Sequence, residues 1–241
     1  MRVFSLAALF VLALHARSVD AGNRALGGVF AQAPSSTCAP VTTVDDPSFT
    51  LDAYAAHPWY VQQQMTVRYQ PEDTLYCVRA SYTIEPDGSV AVLNTANRGA
   101  VDGPRQNPNL TRLRAVVADP SSDAPPSKLL VGPRFLPRFA YGPYWVVAVS
   151  PEQPRPPGDP AGEGYDWALV SGGQPDIPGA APGTCVTGTG TNDSGLWIFA
   201  RDPVASRETV DAAREAAWSR GFDLSVLKDV AHKGCEYPDE T

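Results

Sequence analysis

The stretch Leu75–Asn94, LYCVRASYTIEPDGSVAVLN, changes character at every second residue and then turns back on itself. Tyr76, Val78, Ala80, Tyr82 and Ile84 share one face of an extended chain, and Cys77, Arg79, Ser81 and Thr83 share the other. A period of two is the strand signature. Glu85-Pro86-Asp87-Gly88-Ser89 then supplies the proline, aspartate and glycine of a tight turn, so the run reads as an antiparallel hairpin onto VAVLNTAN.

Upstream, the same alternation opens at WYVQQQM and is expected to carry a first strand from Trp59 to Tyr69. One face would hold Trp59, Val61, Gln63 and Met65; the other would hold Tyr60, Gln62 and Gln64. A buried amide without partners costs ~1–3 kcal/mol, so a core-filling strand would place Val or Leu where Gln63 stands. A wall facing a mostly apolar, partly wet cavity accommodates one such group. Downstream, TRLRAVVA, SKLLVGPRF, PYWVVAVS, YDWALVSG and GLWIFAR bring the β-like segments to eight. Two long loops, 151–164 and 172–194, separate the last three.

One helix follows, in SRETVDAAREAAWSRGF: Val210, Ala213, Ala217 and Trp218 form an apolar stripe, Ser206 caps the start and Gly221 ends it. Eight antiparallel strands hide their edges best by closing on themselves, and a barrel of that size holds side chains or one small ligand. The expected fold is therefore all-β: an eight-stranded antiparallel up-and-down β-barrel with a C-terminal α-helix packed outside.

The chain begins with Arg2, an apolar run from Val3 to Leu14, and small residues at Val19 and Ala21, the pattern of a signal peptide over residues 1–21. The run is short for a membrane span, which needs roughly 17–25 residues. No later segment is long and apolar enough to span. Losing Arg2, Arg17 and Asp20 with the leader would take the formal charge from −7 to −8. An acidic chain without a basic run argues against nucleic acid and anionic membrane surfaces as partners.

Residues 22–48 read as an extended N-terminal arm, 49–235 as the barrel with its helix, and 236–241 as a tail. All four cysteines, Cys38, Cys77, Cys185 and Cys235, follow the leader; two disulfides are expected, with three connectivities open. No CxxC pair is present and only His57 and His232 remain beyond the leader, so neither a metal site nor a cofactor is expected. Asn109-Leu110-Thr111 and Asn192-Asp193-Ser194 fit the N-glycosylation pattern.

The order of these motifs resembles the lipocalin family, in particular its apolipoprotein D and bacterial branch. SFTLDAYAAHPWY is similar to the family's approach to a Gly-x-Trp-Tyr motif, and YCVRASYTIEPDGSVAVLN to its second and third strands. YGPYWVVAVS and YDWALVSGG resemble the sixth and seventh strands, and LWIFARDP with GFDLSVLKDV the closing signature and what succeeds it. The resemblance runs from about Phe49 to Cys235. It implies that Trp59 closes the barrel floor with Arg201 stacked over its indole, and that the disulfides are Cys38–Cys185 and Cys77–Cys235.

That pairing leaves no cysteine for a prostaglandin-synthase-like lipocalin, which uses a free one. The chain departs from the pattern at His57, where glycine is usual, at Pro58, and at the second motif, replaced by the proline-rich 151–164 insertion.

The expected function is binding or carriage of a small hydrophobic ligand, such as a lipid, sterol, tetrapyrrole or carotenoid, after export to the secretory pathway or to a plastid reached through it. Inward alternation nominates Val61, Gln63, Met65, Tyr76, Val78, Tyr82, Phe135, Tyr144, Val146, Trp167 and Phe199 as ligand-binding positions, above the signature pair Trp59 and Arg201. Two other readings are a lipocalin-fold enzyme acting on a lipid or carotenoid, in the manner of a de-epoxidase, and a protein-interaction module with a filled barrel. No catalytic residue is nominated. Asp193-Ser194-Gly195 has no second copy, VSGG around Ser171 is no nucleophile elbow, and GTG around Gly190 does not join a strand to a helix.

Overall fold

A computed structural model describes residues 38–109, 111–123, 126–160 and 162–237. The expected leader, residues 1–21, the first part of the expected arm, residues 22–37, and residues 238–241 of the expected tail lie outside the described residues. Seven strands follow one another in a meander: β1 (Trp59–Met65), β2 (Tyr76–Ile84), β3 (Val90–Asn97), β4 (Leu113–Val117), β5 (Lys128–Pro133), β6 (Gly142–Ser150) and β7 (Trp167–Ser171). After a two-residue pair, β8 (Ile177–Pro178) with β9 (Cys185–Val186), the chain returns through β10 (Leu196–Ala200), which pairs with both β7 and β1. That last pairing closes an eight-stranded antiparallel barrel of β1 to β7 and β10. A three-residue strand, β11 (Leu227–Asp229), adds to the outer end of β1.

The wall separates two apolar layers. Inside, Trp59, Val61, Val78, Val146, Ala168, Val170, Trp197 and Phe199 pack together; outside, Met65, Val147, Leu169, Leu196 and Ile198 pack beneath a helix. That helix, α2 (Arg207–Ser219), follows a short α1 (Leu51–Ala55) that lies ahead of β1. Ser206 accepts the Thr209 amide at 3.1 Å as its N-cap, and Gly221 takes φ +79° just beyond its end. Ala213 and Ala217 are fully buried, so the helix seats closely on the barrel through its smallest side chains. Trp218 is 52% exposed, which corrects the expected stripe: the buried face stops at Ala217.

The strand reading is also corrected at β1, which ends at Met65 rather than Tyr69. Within it a bulge sets Val61 opposite Phe199 but Gln63 opposite Ile198, so Gln62 is the extra residue. Because side chains alternate, one inserted residue turns everything after it to the other face. Gln63 and Met65 therefore point outward, and Gln64 points in beside Trp197.

Two disulfides tie down the segments that flank the barrel. Cys38–Cys185 secures the arm to the β8–β9 segment, and Cys77–Cys235 secures the C-terminal segment to β2. Along the arm, Val41 is buried under the outer layer and the Val44 amide donates to the Val146 carbonyl at 2.9 Å.

Candidate functional site

The closed end of the barrel is built on one cation. The Arg201 guanidinium lies 3.5 Å from the Trp59 ring centroid and donates to the carbonyls of Tyr165 (3.0 Å), Pro58 (3.3 Å), Ala53 (3.2 Å), Tyr54 (3.1 Å) and His57. Desolvation lowers its pKa to about 10, which still leaves it charged at neutral pH. The Trp59 indole N–H donates to the same Tyr54 carbonyl at 2.9 Å. Trp59, fully buried, is thereby locked into a floor that joins α1, β1 and the end of β10.

Above this floor the barrel holds a cavity of about 380 Å³, within the roughly 300–1,000 Å³ span of small-molecule sites. Val61, Val78, Ala80, Val92, Val131, Trp197 and Phe199 supply much of its wall. Polar groups concentrate at two levels. Around the mouth are Gln70, Asn94 and the Thr191–Ser194 loop. Gln70 accepts from the Trp197 indole at 3.1 Å and from Gln64 at 3.5 Å, while the Gln64 carbonyl oxygen is buried with no hydrogen-bond partner.

The second level lies at the inner end, where Tyr82 and Tyr144 line both the cavity and a small void of about 10 Å³ beneath it, room for one water at most. Tyr54, carried by α1, reaches into the same place. The Tyr144 hydroxyl lies 2.7 Å from that of Tyr54 and 2.7 Å from that of Tyr82. Burial raises all three pKa values, that of Tyr82 to about 12. The phenols therefore stay protonated, and available as donors, throughout the physiological range.

Of the positions nominated by alternation, Val61, Val78, Tyr82, Tyr144 and Phe199 line the cavity, and Val146 is packed in the inner layer. Five others lie elsewhere. Gln63, turned out by the bulge, donates to Asp229 at 2.6 Å and accepts from Arg214 of α2 at 2.6 Å. Met65, turned out by the same bulge, and Trp167, on a strand whose two faces are both apolar where α2 covers the wall, pack in the outer layer. Phe135 is 84% exposed because β5 ends at Pro133, two residues before it. Tyr76 precedes the β2 bulge, beside Ala231 of the C-terminal segment, and does not line the cavity.

Sequence reasoning passed over Val92 and Asn94, whose alternation on β3 marked them, and Tyr54, Gln70 and Leu136, which sit on a helix and loops where no period exists. Asn109 and Asn192 are exposed. Ser194 of the Asp-Ser-Gly triplet is buried and donates to the Gly190 carbonyl at 2.9 Å, so it braces its loop.

No protein-family model matches the chain. Among curated proteins, temperature-induced lipocalin-1 of Arabidopsis thaliana is 30% identical over 175 residues, 70% of this chain and 72% of the relative. Among solved structures, insecticyanin from the tobacco hornworm Manduca sexta superposes with a TM-score of 0.53 at 16% identity, over 83% of this chain and 89% of its own. Apocrustacyanin C2 superposes with a TM-score of 0.50 at 12% identity, over 83% and 93%. With that identity along most of its length and a barrel closed between β1 and β10, the chain belongs to the lipocalin family.

Proposed function

We propose that this lipocalin is an extracytoplasmic protein that binds or carries one small hydrophobic molecule in its barrel. The observation that carries the reading is the cavity of about 380 Å³ enclosed by an apolar wall and sealed below by Trp59 and Arg201. Removing a ligand's apolar surface from water there stabilises the complex by ~25 cal/mol per Å². Lipids, sterols, tetrapyrroles and carotenoids are the ligand classes of suitable chemistry.

Binding, rather than catalysis, accords with a mostly apolar lining whose inner-end polar groups are the Tyr82 and Tyr144 phenols, and with cysteines that, among the described residues, are all disulfide-bonded. Two disulfides fit an oxidising compartment, as does the leader pattern of residues 1–21; a plastid reached through the secretory route is the other destination consistent with it. In that setting Asn109 and Asn192, both exposed, would be accessible for glycosylation. Among the described residues no helix is long and apolar enough to cross a membrane.

Native mass spectrometry and solvent extraction of the protein purified from a secreting host test the reading. The expected result is one small apolar molecule per chain. Absence of any co-purifying molecule, together with no affinity for apolar probes, would overturn it.

A further inference from the structure

The barrel strands leave a seam between β1 and β2. These two pair only at Trp59–Ala80 and Tyr60–Arg79, and toward the mouth they part. The C-terminal segment fills the gap. On one side β11 pairs with β1 at Gln63–Asp229, Gln64–Lys228 and Met65–Leu227, and the Val230 amide donates to the Gln62 carbonyl at 3.0 Å. On the other side the Ala231 amide donates to the Leu75 carbonyl at 3.0 Å, and the Ala231 carbonyl accepts from the Cys77 amide at 2.9 Å. Residues 227–231 are thus a stave of the wall, with Val230 buried in the inner layer beside Val61 and Val78. Val61, Val78 and Ala80, which border the seam, also line the cavity, so a gap there would open into it.

Three features make the stave separable from the rest. Its pairing is short, since β11 has three residues, two of them exposed, whereas β2 across the gap has nine. Cys77 holds φ +54°, a left-handed conformation that costs a non-glycine residue ~1–3 kcal/mol. Its ties to the segment, through its amide and through its Sγ to Cys235, keep it there, so departure of the stave lets that residue relax. Finally, Cys77 is buried but Cys235 is only partly so, which lets a thiolate approach the disulfide from the Cys235 side. Without the covalent tie, His232 on the Val61 carbonyl at 2.7 Å and Tyr237 against the Tyr60 ring at 4.8 Å would remain as holds.

We propose that residues 227–237 form a side gate of the barrel latched by Cys77–Cys235, and that reduction of this disulfide by a dithiol opens a path for the ligand between β1 and β2. A thiolate of the dithiol attacks Sγ of Cys235, the S–S bond breaks, and Cys77 leaves as a thiolate that takes up a proton. The second thiol then displaces Cys235 from the mixed disulfide. Two electrons and two protons pass to the protein, and the dithiol departs as its own disulfide. The proposal rests on the binding reading above and adds to it a route by which ligand exchanges.

Stopped-flow binding of the fluorescent fatty acid cis-parinaric acid to wild type, Cys77→Ser/Cys235→Ser and Cys38→Ser/Cys185→Ser tests it. The first double variant should raise the association and dissociation rate constants at least about fivefold each and leave Kd within about threefold, because a gate lowers a barrier without changing the end states. The second should leave the association rate within about twofold of wild type. Hydrogen–deuterium exchange of wild type in dithiothreitol reads the opening itself. The amides of Cys77, Val230 and Ala231 should exchange at least about tenfold faster than in the oxidised protein, while those of β6 and β7 keep their rates.

An unchanged association rate in Cys77→Ser/Cys235→Ser, an equal rise in both double variants, or exchange that quickens throughout the barrel would overturn the proposal and leave the binding reading standing. Failure of cis-parinaric acid to bind oxidised wild type would overturn both.

Discussion

Gln63 and Gln64 carry the same amide on opposite sides of one wall, and their surroundings give opposite consequences for removing it. Gln63 bridges Asp229 and Arg214 on the outer surface, whereas Gln64 is fully buried beside Trp197 with its carbonyl oxygen unpaired. Gln64→Leu replaces a desolvated amide by a hydrocarbon of similar volume, and should leave stability within ~1 kcal/mol of wild type or raise it. Gln63→Leu should cost ~0.5–1.5 kcal/mol by loss of the two outer hydrogen bonds and leave ligand affinity unchanged. Urea midpoints and a ligand titration check both; a loss above ~3 kcal/mol for Gln64→Leu would show that its amide is satisfied.

His232 offers a second test at this scale. Its ring is buried against the Val61 carbonyl at 2.7 Å and the Tyr237 hydroxyl, and burial lowers its pKa from the ordinary 6.5, opposed by the Val61 hydrogen bond. A lowered folded value means that the unfolded chain binds more protons between the two values, so stability rises with pH there. The contribution of His232 is complete above about 6.5 and is lost as the pH falls through the lowered folded value. Wild type should thus lose stability more steeply than His232→Gln as the pH falls below about 6.5, as followed by chemical denaturation at each pH.

At the scale of elements, α2 shows that how small a side chain is can matter more than how apolar it is. Ala217 is fully buried against the wall and Trp218, next to it, is half exposed. Ala217→Leu should cost ~1–3 kcal/mol by overpacking, while Trp218→Ala should stay within ~0.5 kcal/mol. Thermal unfolding of the two variants discriminates them, and the reverse order would place the helix in a different rotation.

The strands themselves were legible: alternation and the Pro-Asp-Gly turn located all eight barrel segments. Their bulges were not, because an extra residue at Gln62 is set by pairing with β10 rather than by any pattern within β1. Nor could the run WALVS reveal its inner face, since Ala168 and Val170 line the interior while Trp167 and Leu169 meet α2. Where both faces are apolar, period two gives the alternation and leaves its direction open. The lining contributed by Tyr54 and Gln70 had no periodic signal at all.

For the whole molecule, closure comes from the Trp59–Arg201 floor and from two disulfides that span 147 and 158 residues. Cross-links that long restrict the unfolded chain strongly, and replacing either pair by serine should cost ~2–5 kcal/mol. Denaturation of each double variant measures this. A fall of less than ~1 kcal/mol would mean that the arm and the C-terminal segment hold without their covalent ties.

The central claim is that the barrel interior is the binding site. Val131 lines both the cavity and the small void below it and is only partly buried, so Val131→Trp projects an indole into the space a ligand would take. The direct measurement is the titration of wild type and Val131→Trp with a fluorescent fatty acid, with circular dichroism to confirm equal folding. The account predicts saturable binding of one molecule per chain in wild type and a loss of at least about tenfold in affinity in the variant. Equal affinity in two equally folded proteins would place the ligand outside the barrel and contradict it.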